Sequence, residues 1–85
     1  MITFSYTVKA SNGIHARPAG MLVQKAKESN SNIKVECRGK QADLKKLMAL
    51  MLLNIKKGDS IKVMVSGNNE KYDAKTLEEY IKSNF

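Results

Sequence analysis

Gly13-Ile14-His15-Ala16-Arg17-Pro18-Ala19-Gly20 gathers the only histidine, the only proline and one of two arginines of an 85-residue chain into eight positions. Ala19, Leu22, Val23 and Ala26 follow at the i, i+3, i+4, i+7 spacing of an amphipathic helix. Pro18 therefore sits in its first turn, where a missing N–H loses no intrahelical bond. His15 then lies at or just before a helix N-terminus, where free N–H groups and the positive end of the helix dipole favour an anion. Arg17 adds a planar guanidinium suited to bidentate contact with phosphate oxygens. A neutral imidazole nitrogen beside such a cradle points to covalent phosphorylation of His15, because imidazole keeps a large nucleophilic fraction near pH 7 and forms an N–P bond reactive enough to pass the group on. The competing reading is a helix cap or a plain surface histidine. A metal site is disfavoured: one histidine and Cys37, twenty-two positions away on a predicted strand, do not make a ligand set.

The elements that must position this segment follow from hydrophobic period. Ile2, Phe4, Tyr6 and Val8 alternate with Thr3, Ser5 and Thr7, a half-buried strand that Ser11-Asn12-Gly13 ends. The first helix spans about Ala16 to Glu28 and stops at Ser29-Asn30-Ser31-Asn32. Ile33, Val35 and Cys37 alternate with Lys34, Glu36 and Arg38 in a second strand, so the Cys37 thiol points inward and carries no expected reactivity. Gly39 permits a tight turn into a short third strand around Lys40 to Ala42. A second helix covers about Leu47 to Asn54. Lys56-Lys57-Gly58-Asp59 reads as a loop before a fourth strand from Ile61 to Ser66. Ser66-Gly67-Asn68-Asn69 supplies turn and capping chemistry for a last helix, about Glu70 to Lys82, with Ala74, Leu77 and Ile81 as its buried stripe and Tyr80 beside it. Strands that each bury one face predict an α+β open-faced sandwich: a four-stranded antiparallel sheet covered on one side by three helices, in the order βαββαβα.

The second helix carries more apolar surface than one stripe requires. At roughly 100° per residue, Leu47, Met48 and Met51 cluster on one side while Ala49, Leu50 and Leu53 point nearly opposite. One face belongs to the core and the other is an expected docking patch, unless the helix is short and buried all round.

Composition bounds the rest. Residues 1–85 suffice for one small domain and one core. A single cysteine excludes an internal disulfide and fits a reducing compartment. No signal peptide is visible, and the longest apolar run, the seven residues Leu47 to Leu53, is too short to cross a bilayer. A soluble, cytoplasmic protein without membrane insertion is expected. Fifteen Lys and Arg against eight Asp and Glu give a net charge of +7, a field that attracts acidic protein surfaces, nucleic acid or anionic lipid alike.

The segment Gly13 to Ala19 closely resembles the active-site motif of HPr, the histidine-containing phosphocarrier of the bacterial phosphoenolpyruvate-dependent sugar phosphotransferase system. The likeness extends over the chain's length and element order, with a second match at Leu44 to Gly58. It implies that His15 accepts a phosphoryl group through Nδ1 from phosphorylated enzyme I and donates it to a histidine of EIIA domains. Arg17 would balance charge during transfer, and the N–H groups of Ala16 and Arg17 would hold phosphate oxygens. It also implies docking through Leu47, Met48 and Met51, where the methionine thioethers adapt to several partner surfaces; the excess of lysine fits this, with Lys45 and Lys46 expected to steer encounter with acidic rims. Such a protein is a phosphocarrier and not an enzyme in the strict sense, needs no cofactor, and is expected to be monomeric.

Lys46 departs from the family pattern: many Gram-positive members carry a kinase-regulated serine there, so that switch is expected to be absent. Gly20, Leu52 and Asn54 depart as well, which bears on the first turn of the helix and on the docking geometry. The alternative class is an HPr-like regulatory binding module acting on partner proteins without a main role in sugar uptake. An RNA-recognition domain shares the strand and helix order, but the strand from Ile61 to Ser66 has none of the aromatics that would stack bases, so no nucleic-acid partner is expected.

Overall fold

The structure, a computed structural model, describes residues 1–85. Its elements are β1 (Ile2–Thr7), α1 (Ala16–Lys27), β2 (Asn32–Cys37), β3 (Lys40–Asp43), α2 (Leu47–Leu52), β4 (Ser60–Ser66) and α3 (Glu70–Asn84). The four strands form one antiparallel sheet in the order β1-β4-β2-β3. This is the expected open-faced sandwich.

Register explains why the alternation reads so cleanly. Phe4 lies opposite Val63, Val63 opposite Val35, and Val35 opposite Ala42, an apolar row across the whole sheet on the helix-covered face. One residue along, Ser5, Lys62, Glu36 and Gln41 make the corresponding polar row on the open face. A slip of one residue would exchange the two rows, so burial fixes the pairing. Ala19, Leu22, Val23 and Ala26 of α1, Leu50 of α2, and Ala74, Leu77 and Ile81 of α3 complete the core from above. Cys37 is buried within it, and burial pushes its thiol pKa up, in keeping with an inert structural cysteine.

Element ends differ from the sequence reading by a residue or two. Helix α1 stops at Lys27, one residue early. Helix α2 stops at Leu52, because Leu53 serves as its C-cap and Asn54 turns left-handed at φ 51°. Asparagine tolerates that conformation better than most side chains, which is the physical reason a non-glycine residue ends this helix. Helix α3 runs on to Asn84, since nothing after Lys82 breaks it, and Phe85 folds back into the core. The Phe85 carbonyl accepts the N–H groups of Lys9 (2.6 Å) and Ala10 (2.7 Å), tying the end of α3 to the segment that leads into the histidine loop.

Between β2 and β3, Arg38 and Gly39 both have positive φ, 52° and 80°. Two such residues make the tight hairpin turn whose twist matches its strands. The turn leaves the Arg38 side chain projecting from the hairpin tip toward the α2–β4 loop.

Candidate functional site

His15 occupies the N-cap position of α1, with extended backbone angles (φ −147°, ψ 163°), and its side chain makes no capping hydrogen bond. The imidazole is therefore exposed and uncommitted. Its carbonyl accepts the N–H of Ala19 at 3.2 Å, closing the first turn. Pro18 has no N–H to offer. The N–H groups of Ala16 and Arg17 find no acceptor in the protein, so two of the four orphan donors of a helix start stand free beside His15. No acidic residue occupies the first turn of α1 to offset the positive end of its dipole. Arg17 is exposed and forms no ion pair.

Ala16 has φ 44°, a left-handed backbone that costs an L-residue with a Cβ roughly 1–2 kcal/mol. The residues leading into it are held from outside the loop. Immediately before His15, the Ile14 N–H donates to the Ile55 carbonyl at 3.0 Å. Gly13, at φ 67°, runs so close to the same segment that a Cβ there would lie 2.2 Å from the Ile55 oxygen. Glycine is required on both counts, and the histidine loop is pinned to the loop between α2 and β4.

That second loop supplies residues which local sequence reasoning assigned no role. Ser11, Asn12, Ile14 and His15 line an open depression of about 380 Å³ together with Met51, Asn54, Ile55, Lys56 and Lys57. Lys56 and Lys57 are exposed and bring two more cations to the histidine's side of the molecule. The signal for them was long-range. Only the requirement that Gly13 lie against Ile55 joins segments some forty residues apart, and no periodic pattern encodes it.

The two faces of α2 separate as their spacing predicts. Leu50 and Leu53 are buried and Ala49 is half-buried, whereas Leu47, Met48 and Met51 are exposed. Leu52 is 78% exposed and extends the apolar surface beyond those three. Met51 reaches the histidine depression, so this surface and the site are continuous.

The two candidate steering lysines are placed differently. Lys46 is exposed at the N-cap of α2 and makes no capping bond. Lys45 is half-buried, and its ammonium donates to the Ser29 carbonyl at 2.8 Å, just past the far end of α1. Twelve residues of helix separate that point from His15, or about 18 Å at 1.5 Å per residue.

Fold and site together define a small α+β sandwich that presents one histidine at an anion-receptive helix start. Residues 2–83 match the family model described as the PTS HPr component phosphorylation site. The phosphocarrier protein HPr of Borreliella burgdorferi is 37% identical over 83 residues, covering 98% of this chain and 96% of that protein. The chain thus belongs to the HPr phosphocarrier family of the phosphotransferase system. The crystal structure of an HPr from Thermoanaerobacter tengcongensis is similar over 100% of this chain and 96% of its own, at 34% identity and a TM-score of 0.94. The Bacillus subtilis catabolite-repression protein Crh is similar over 99% of this chain and 97% of its own, at 28% identity and a TM-score of 0.77, and is described as a dimer with a swapped domain. HPr-like chains thus include dimers. No helix of this chain is long and apolar enough to cross a membrane.

Proposed function

We propose that this protein carries phosphoryl groups on His15, accepting them from phosphorylated enzyme I and passing them to EIIA domains of sugar permeases in the cytoplasm. The observation that carries this reading is the uncapped imidazole beside the two unbonded N–H groups of Ala16 and Arg17. In the accepting step, a new bond forms between Nδ1 of His15 and phosphorus as the bond from phosphorus to the donor breaks. The imidazole proton leaves to solvent or to the departing group. The N–H groups and the Arg17 guanidinium bind the equatorial oxygens, on which the transition-state charge is spread. The same geometry run in reverse delivers the group to EIIA.

Leu47, Met48 and Met51 form the docking face in this reading, Lys46 stands at its rim, and Lys45 contributes to the long-range field, its head being bound at Ser29. A net charge of +7 favours acidic partner rims and speeds encounter at low salt. The test is intact mass after incubation with phosphoenolpyruvate and enzyme I, for wild type and His15→Ala. An acid-labile gain of one phosphate, absent from the variant, is the expected result.

A second reading is a regulatory module that binds partners without carrying phosphate; Crh, to which the chain is similar, is named for catabolite repression. Failure of a demonstrably folded wild type to gain mass with several enzymes I would select it.

A further inference from the structure

We propose that Arg38 and Asp59, remote from His15 in sequence, act together as positioning residues that set the geometry of the histidine loop. Arg38 projects from the β2–β3 hairpin and spreads its guanidinium over three acceptors. One terminal nitrogen donates to the Asp59 carboxylate; the other donates to the Leu53 carbonyl and to the Asn54 carbonyl, the last at 3.2 Å. The same Asp59 oxygen accepts the Lys56 N–H at 2.8 Å, and the Asp59 N–H donates to the Lys56 carbonyl at 3.0 Å. The segment from Leu53 to Asp59 is thereby braced at both ends by one cation and one carboxylate.

The brace encloses Ile55. Its carbonyl accepts the Ile14 N–H and lies in contact with Gly13, so the position of this one oxygen fixes the residues entering His15. The brace also holds Asn54 left-handed, a conformation that needs support. Lys56 and Lys57, which line the depression with His15, ride on the braced segment. Arg38 suits the task because a planar fork reaches a carboxylate and two helix-end carbonyls at once, and a cation is favoured at the negative end of α2. The Asp59 carboxyl is held below its ordinary range by the Lys56 N–H first and by Arg38 second, so the clamp stays charged through neutral and mildly acidic conditions. The Arg38 side chain is about half exposed (51%). Its removal opens no core cavity, and a local effect can be separated from a global one.

The kinetic consequence rests on the phosphocarrier reading; the structural one does not. The experiment compares wild type with Arg38→Ala, Asp59→Asn and Arg38→Lys in two measurements. Amide hydrogen exchange is followed by NMR at Ile14 and, as a reference within the sheet, at Val35 and Val63. Phosphate uptake is followed by intact mass with enzyme I at fixed phosphoenolpyruvate. In Arg38→Ala and Asp59→Asn, exchange at Ile14 is expected to rise about tenfold while Val35 and Val63 change less than about twofold. Uptake is expected to slow about three- to tenfold. Arg38→Lys should recover part of both, because an ammonium can pair with Asp59 but cannot span the carbonyls as well. Equal acceleration at Ile14 and Val63 would reduce the pair to a general stabiliser and overturn the proposal, as would unchanged exchange at Ile14. If the wild type gains no phosphate, the carrier reading fails, and the exchange data alone still decide the clamp.

Discussion

Helices α1 and α3 begin with different charge. At the start of α3, Glu70 and Asp73 both stand in the first turn. Glu70 accepts the Gly67 N–H at 3.2 Å, and Asp73 accepts the buried Ser31 hydroxyl at 2.6 Å. The chain itself provides the negative charge that a helix start favours. At the start of α1 there is no acid; the missing side-chain cap and a pair of N–H groups without acceptors are common to both helices, the pair being Lys71 and Tyr72 in α3 and Ala16 and Arg17 in α1. One fold therefore contains a helix start whose positive pole is matched by its own acids and another with no first-turn acid to match it. The difference resides in a handful of side chains and is independent of the topology they share.

The comparison can be broken most severely by giving α1 an acid of its own. Arg17→Glu places a carboxylate in the first turn of α1 and removes the guanidinium. Phosphate uptake from enzyme I should fall about 100-fold, as expected for a lost charge-assisted hydrogen bond of roughly 1.5–3 kcal/mol at about 1.4 kcal/mol per tenfold. Urea unfolding should meanwhile show unchanged or slightly higher stability; uptake within threefold of wild type would refute the role given to that missing acid. Taking an acid from α3 is the converse. Asp73→Ala orphans the buried Ser31 hydroxyl and should cost about 2 kcal/mol of unfolding free energy with uptake nearly intact at a temperature where the variant is folded. A loss below 0.5 kcal/mol, on the order of a plain surface substitution, would show that α3 does not need its acids.

A smaller change sharpens the contrast. Gly20 lies one turn beyond His15 with open space where a Cβ would go. Gly20→Ala should therefore raise stability by roughly 0.5–1 kcal/mol, read from the urea midpoint, and change uptake less than about twofold if the start of α1 works through its N–H groups and not through looseness of the helix. The finest test uses pH. A carboxyl held below its ordinary 3.8, as Asp59 is, contributes stability that is fully present above that value and is lost as pH falls through its lowered folded value. The gap in Ile14 amide protection between wild type and Asp59→Asn should accordingly be constant from neutral pH to about pH 5 and close only in stronger acid. A gap that closes already at pH 6 would exclude Asp59 as its source.

Much of the fold was legible in the sequence because burial imposes period. The alternation from Ile33 to Cys37 placed Cys37 inward, and the angular split of Leu47, Met48 and Met51 from Leu50 and Leu53 separated the two faces of α2, of which the HPr resemblance named the first as the outer one. His15 could be set at a helix start from Pro18 and the stripe after it. The surroundings of that histidine were much less legible. Lys56 and Lys57 read as a loop because their proximity to His15 depends on Gly13 meeting Ile55, a contact between distant segments that leaves no periodic trace. Arg38 read as the polar side of a strand, although its guanidinium reaches across to Leu53, Asn54 and Asp59. Lys45 illustrates the reverse: charge composition suggested a free cation, whereas its head is bound to the Ser29 carbonyl. Local pattern reports which face of an element is apolar, and says nothing of which loops the folded chain brings side by side.

The sheet order β1-β4-β2-β3 has a consequence for synthesis. The strand nearest the start of the chain finds its only sheet neighbour in the last strand to be made, since Ile2 pairs with Val65 and Tyr6 with Ile61. During translation, β1 must wait unpaired until Ser66 has cleared the ribosome, and contacts of such long sequence separation are slow to close. The histidine loop waits with it, because Ile14 docks on Ile55 just upstream of β4. A nascent chain is therefore expected to display the whole His15 motif long before the loop takes its folded geometry, which forms only with emergence of the fourth strand.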